Sequence, residues 1–368
     1  MTRFFIAALS FCLSLPDAAP AQRPPELDLR MSVDVTSAER TIELYQHFSG
    51  SPREIAALPG SRLAAAAAAL LAQRSLGSAD LEAALEDARF GTSREDDVFS
   101  MEDSRRNAPA LLELLTEIKR RNFSRRVTGT VAQFFPADAR VRTSVPVFVV
   151  AFGPQTIDAF VQRVAWRDGV PVFTDEGELT IVINLAHGIR YGRTTEERFL
   201  GVLSTVAHEV FHAAFGAYQD SSDTWRQFHS ARRSRLDQLL ELTQNEGIAH
   251  YLSLEQRGGY TPHDWDTRVR ASVDGFNRSA AELLSPATPA WRAGEILRSS
   301  NTSEYWESYG AITGLFIARE IDRTLGRPAL VGTVAQGPLA FFSVYDRLCQ
   351  SNSNLPRLSP GVRRALIP

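Results

Sequence analysis

The segment Val206-Ala207-His208-Glu209-Val210-Phe211-His212 leaves this chain little freedom. Histidines at i and i+4 lie one above the other on a helix, so both imidazoles can reach one tetrahedral Zn²⁺. Glu209 points to the neighbouring side, where it can take a proton from a metal-bound water without ligating the metal. Thr205, Val206, Ala207, Val210, Phe211, Ala213 and Ala214 are all uncharged, as a helix buried in a dry site requires. A helix holding two satisfied core histidines would look the same, so a third ligand has to decide.

A third histidine six residues past His212, as in metzincins, is excluded because Tyr218 stands there. The better candidate is Glu246. Between a capping box at Ser234 and Asp237 and a stop at Gly258-Gly259, the residues Leu236, Leu239, Leu240, Thr243, Glu246/Gly247, His250 and Leu254 recur at helical spacing. That stripe faces the core, and a carboxylate there is costly unless it is paired or ligates a metal. Gly247 in mid-helix costs about 1 kcal/mol relative to Ala; a close approach between two helices sharing one zinc accounts for it. Asp220, Asp237 and Glu241 are the alternatives.

A chain of 368 residues can bury a sizeable core, and its net charge of -3 gives no sign of a nucleic-acid partner. Residues 1–21 are expected to be a signal peptide. Arg3 supplies the positive end, Phe4 to Leu15 an apolar core too short to span a bilayer, and Ala19-Pro20-Ala21 a cleavage site before Gln22. The mature chain would then be periplasmic or extracellular, without stable membrane insertion. With Cys12 removed only Cys349 remains, so no intramolecular disulfide can form. Leu63 to Gln73 is apolar but flanked by Arg62 and Arg74, and no later segment is taken as a membrane span.

Residues 22–140 are expected to form a mostly helical N-terminal region, with helices over Ser37–His47, Arg62–Gln73, Ser78–Ala88 and from Pro109 to Arg121. Gly91 to Arg106 is expected to be a solvated loop, and His47 a surface residue. Strand signals begin near residue 127. Val145 to Phe152 and Leu179 to Leu185 are β-branched apolar runs, and Thr156 to Trp166 allows a helix. Thr194 with Glu197 caps the metal helix. An edge strand beside the zinc would offer unpaired backbone groups to an extended peptide. His187 reads as an ordinary loop histidine. Helices are expected over Asp264–Leu284, Pro289–Ser299, Glu304–Leu325 and Pro338–Cys349, and residues 351–368 as a polar surface tail.

These motifs resemble the gluzincin metallopeptidases, which carry H-E-x-x-H on one helix and a glutamate on a later one. More narrowly, Val145 to Gly326 is similar to uncharacterised bacterial zinc peptidases of the peptidase-MA-like group, whose third-ligand motif Glu246-Gly247-Ile248-Ala249 resembles. The resemblance implies an α+β, zincin-like domain over residues 141–350, one zinc per chain on His208, His212 and Glu246, and Glu209 as base. One position departs: gluzincins often place an Asp four residues after the ligand Glu, bonded to a ligand histidine, and here that residue is His250.

The reading is an exported zinc metallopeptidase acting on a peptide or protein. A zinc hydrolase or amidase acting on cell-wall peptides, and a catalytically inactive zincin-like binding protein, are the other classes. Retention of Glu209 as a carboxylate favours catalysis. The resembled group tends to have a Tyr and a Gly after the third ligand, which points to Tyr309, before Gly310 and Gly314, as the oxyanion donor. Tyr305, His250 and Tyr251 are its rivals, and a core tyrosine with a satisfied hydroxyl is the plainer alternative.

Overall fold

A computed structural model describes residues 26–92, 96–154, 158–231, 234–301 and 306–367. The expected signal peptide, Cys12 and Tyr305 lie outside these residues. The chain runs β1 (Glu26–Asp34), α1 (Thr36–His47), α2 (Pro52–Ala57), α3 (Pro59–Ala72), α4 (Ser78–Phe90), α5 (Met101–Arg106), α6 (Ala108–Arg120) and α7 (Phe123–Ala132). Then come β2 (Arg140–Val150), β3 (Ala159–Arg167), β4 (Val170–Phe173), β5 (Glu178–Asn184) and α8 (Leu185–Gly188), with a 3-10 turn at Ile189–Tyr191. The rest is helical: α9 (Thr195–Ser221), α10 (Asp223–Ala231), α11 (Arg235–Gln256), α12 (Trp265–Leu284), α13 (Ala290–Ser299), α14 (Tyr309–Leu325), α15 (Arg327–Gln336), α16 (Pro338–Ser351) and α17 (Pro360–Ala365). The fold is α+β, a small mixed sheet among helices, as the sequence implies.

The sheet order is β1-β2-β5-β3-β4. β1, β2 and β5 are parallel, whereas β3 runs antiparallel to both β5 and β4. Alternate residues of a strand face opposite sides. Val145, Val147, Val149, Ile181 and Ile183 therefore enter the larger core with α6, α7, α9, α11 and α14. Val150, Val164 and Val182 enter a second core formed with α2, α3 and α4. A sheet covered on both faces needs apolar side chains on both, which is why β2 and β5 read as continuous apolar runs.

Both capping boxes form. Glu197 N donates to Thr194 Oγ1 at 3.2 Å and Thr194 N to Glu197 Oε2 at 3.0 Å; at α11, Asp237 N donates to Ser234 Oγ at 3.3 Å and Ser234 N to Asp237 Oδ2 at 3.0 Å. Gly258 and Gly259, at φ of 77° and 74°, end α11 in the left-handed region.

Several expectations are corrected. The segment given as a helix near Thr156–Trp166 is strand β3 over its described part, because Ala159 to Val164 pair with Ile183 to Glu178 of β5. Residues 123–132, which include the expected start of strand structure near residue 127, form α7, and the expected solvated loop from Gly91 to Arg106 ends in α5 with Phe99 and Met101 buried. The C-terminal tail contains α17, whose Val362 is buried in the main core. α9 is long and apolar enough to count as a membrane span by composition, but 61 % of that apolar window is buried inside the protein. The strand leading toward the metal helix, β5, is paired on both sides and is not an edge. The edge strands are β1 and β4, and β4 is shorter than β3, so part of the outer side of β3 is uncovered. Residues Val164–Arg167 of β3 pair with β4, and no described strand covers the outer side of Ala159–Gln162.

Candidate metal centre

α9 carries Thr205, His208, Glu209 and His212, and α11 carries Glu246. Nε2 of His208 and of His212 stand 3.0 Å apart. Glu246 Oε2 lies 3.4 Å from His212 Nε2 and 3.7 Å from His208 Nε2. Donors about 2.0–2.1 Å from a tetrahedral zinc are about 3.3 Å from one another. The three spacings bracket that value, so the residues fit the ion. Two imidazole nitrogens aimed at one point beside a carboxylate also leave lone pairs that a cation satisfies best.

Burial costs both the His212 imidazolium and the Glu246 carboxylate, but their mutual attraction wins. His212 is held up and Glu246 down, to about 2. His208 is pushed well below its usual range, first by burial and then by His212. Burial, with the Glu246 and Asp158 charges, pushes Glu209 up to about 7 against an opposing pull from His212. Without an ion beside it, Glu209 is thus a carboxyl that titrates near neutrality.

The groups behind His208 and His212 come from α11. His212 Nδ1 is 3.0 Å from Asn245 Oδ1, and His208 Nδ1 is 3.4 Å from Ser253 Oγ. His250, where the resembled group often has an Asp, turns elsewhere. Its Nδ1 lies 3.0 Å from the Glu246 carbonyl oxygen, which can only accept, so this nitrogen carries the proton. Its ring stands edge-on to His208 at 4.9 Å. Sequence reasoning missed both: Ser253, seven residues past Glu246, shares its face of α11, whereas Asn245, one residue before it, is turned about 100° round the helix toward α9.

Gly247 is explained by a different neighbour from the one expected. A Cβ on Gly247 would lie 2.2 Å from the Gly314 carbonyl carbon, and one on Gly314 would lie 1.9 Å from the Thr243 oxygen. α14, not α9, makes the close approach, and it braces α11 directly behind Glu246.

On the other flank, the Tyr191 hydroxyl donates to Asp158 and lies 3.0 Å from Thr205 Oγ1, one turn before Glu209. Arg257 sits over the Tyr191 ring at 4.9 Å and donates from Nε to Ser204 Oγ at 2.7 Å. Asp158 stands at the head of β3, so the open stretch of that strand begins beside this cluster and Glu209.

Tyr309 does not join the site. Its hydroxyl donates to the Ile296 carbonyl of α13 at 3.0 Å, and its ring packs against Gly275 of α12. Two of the three alternative ligands have other work, and Asp220 is exposed near the end of α9. Asp237 caps α11, and Glu241 accepts from Gln219 at 3.2 Å and meets His229 at 3.0 Å. His47 is exposed at the end of α1, and His187 packs beside Tyr191.

The fold and the site define an α+β protein in which two histidines and one glutamate are grouped as a possible metal site. Residues 67–354 match the family model described as "Putative zinc dependent peptidase (DUF5700)", and the chain belongs to that family. Searches of curated proteins and of solved structures give no match. Zinc is the cofactor that the family and the grouping of His208, His212 and Glu246 both support.

Proposed function

We propose that this chain is an exported zinc metallopeptidase of the gluzincin type that hydrolyses peptide bonds with Glu209 as general base. The observation that carries the reading is Glu209 itself. It stands one residue along α9 from His208 and outside the group of three donor atoms, a carboxylate beside the candidate ion that is not one of its ligands. A centre that only bound metal would need no such group. Bound zinc supplies a Lewis acid and lowers the pKa of a water toward ~7. Glu209 accepts the proton of the attacking water and delivers it to the leaving nitrogen. An extended peptide adds to the open outer side of Ala159–Gln162 by strand pairing, which brings its backbone to the cluster beside Glu209.

A peptide-library digest with purified protein, with and without chelator, tests the reading. Cleavage should require zinc and should vanish in Glu209→Gln at unchanged zinc content. Equal cleavage by both proteins would remove Glu209 as base, and no cleavage by zinc-loaded wild type would favour a binding protein. Export is tested separately: the N-terminus of the protein outside the cytoplasm should lie near Gln22.

A further inference from the structure

We infer that Ser253 is the positioning residue of His208, a hydroxyl acting where metal centres commonly use a carboxylate. The inference rests on the zinc centre, not on peptidase activity. A histidine that ligates through Nε2 carries its proton on Nδ1 and must place it. Ser253 Oγ is 3.4 Å from His208 Nδ1 and 3.3 Å from the Ser204 carbonyl oxygen. A carbonyl oxygen only accepts, so the Ser253 proton goes to Ser204 and its lone pair faces the imidazole. The order is then fixed: His208 Nδ1–H to Ser253 Oγ, Ser253 O–H to Ser204 O. Ser253 is buried at 2 % exposure, which leaves its hydroxyl few other orientations. The Ser204 end is itself held, because the Ser204 hydroxyl donates to Gly201 O at 2.8 Å and accepts from Arg257 Nε at 2.7 Å. His250, the position from which an acid would reach a ligand histidine, is committed to the Glu246 carbonyl. With Asn245 behind His212, both ligand histidines rest on neutral oxygens of α11. The same helix thus supplies the third ligand and aims the other two. One competitor is present: the Ala249 carbonyl also interacts with His208.

The test is zinc affinity of the full chain, measured by competition with a chelator, together with the visible spectrum of the Co²⁺-substituted protein. Ser253→Ala should weaken zinc binding 10–100-fold, the usual cost of losing such a partner. It should also shift the Co²⁺ bands, while the melting temperature of chelated protein stays close to wild type. Ser253→Thr keeps the hydroxyl and should restore affinity and spectrum. Wild-type affinity and spectrum in Ser253→Ala would show that the Ala249 carbonyl suffices and would overturn the assignment alone. A Ser253→Thr variant as weak as Ser253→Ala would overturn it too, by tracing the loss to packing. A wild-type chain that takes up no zinc would instead overturn the metal centre, and this role with it.

Discussion

Nδ1 of His212 meets Oδ1 of Asn245 at 3.0 Å, so the residue next to Glu246 on α11 fixes the His212 ring on α9. An amide oxygen accepts from the imidazole N–H without adding charge. α9 and α11 are thereby tied together beside Glu246, and such preorganisation would lower the ordering cost of binding an ion there.

Asn245→Ala should therefore weaken zinc by 10–100-fold while leaving the helices in place. Chelator competition measures the first effect and circular dichroism the second. Glu246→Ala, which removes a ligand outright, should be worse than Asn245→Ala. The reverse ranking would mean that Glu246 is not the third ligand.

The α11–α14 crossing predicts a contrast between two glycines in helices. At Gly314 a methyl group would stand 1.9 Å from the Thr243 oxygen, so Gly314→Ala must force the helices apart. A loss of several kcal/mol is expected, with Glu246 displaced and zinc weakened. At Gly216 of α9 no atom lies within 4 Å of the added methyl. Gly216→Ala should stabilise by up to about 1 kcal/mol, the helix-propensity gain. Thermal or denaturant unfolding of the chelated proteins gives both values, and similar behaviour in the two would refute the crossing.

Local rules made much of this molecule legible in the sequence. The i,i+4 histidines, the two capping boxes and the apolar stripe around Glu246 each depend on residues within a few turns of one helix. Non-local pairing was harder. β3 reads as a helix in isolation and becomes a strand because β5 is there to pair with it. β5 itself gives no local sign that both its edges are taken. α5 and α17 are short, and their burial is fixed by distant partners. Gly247 shows the same limit: mid-helix glycine predicts a close approach, but not that α14 supplies it.

Glu209 gives a pH signature. Its carboxyl, near 4.5 when unfolded, is raised to about 7 in the fold, chiefly by burial. Over that window the folded protein binds more protons than the unfolded chain. The stabilising effect of the protonated carboxyl is complete below pH 4.5 and is lost as pH rises through about 7. Chelated Glu209→Gln lacks this titration. Relative to it, chelated wild type should lose stability between pH 4.5 and pH 7, by up to roughly 3 kcal/mol at ~1.4 kcal/mol per unit. Parallel curves for the two proteins would show that Glu209 titrates as an ordinary surface carboxyl.

The last prediction concerns Tyr309, which the sequence pointed to as the oxyanion donor. In the fold its hydroxyl donates to the Ile296 carbonyl at 3.0 Å, and its ring rests on Gly275. A donor already committed to a backbone carbonyl of α13 has no proton to offer a developing oxyanion unless that bond breaks. The hydroxyl instead ties the start of α14 to α13, and α14 is the helix that braces α11. Tyr309→Phe should cost about 0.5–1.5 kcal/mol, the net worth of one such hydrogen bond, and somewhat more if the Ile296 oxygen is left buried without a donor. Zinc affinity should stay near wild type, and so should kcat on any substrate found in the library digest. A lost oxyanion donor would lower kcat by roughly 10²–10³ at unchanged stability. Measuring unfolding and turnover on the same Tyr309→Phe preparation separates the two cases. A large fall in kcat with no change in unfolding would return Tyr309 to the reacting centre.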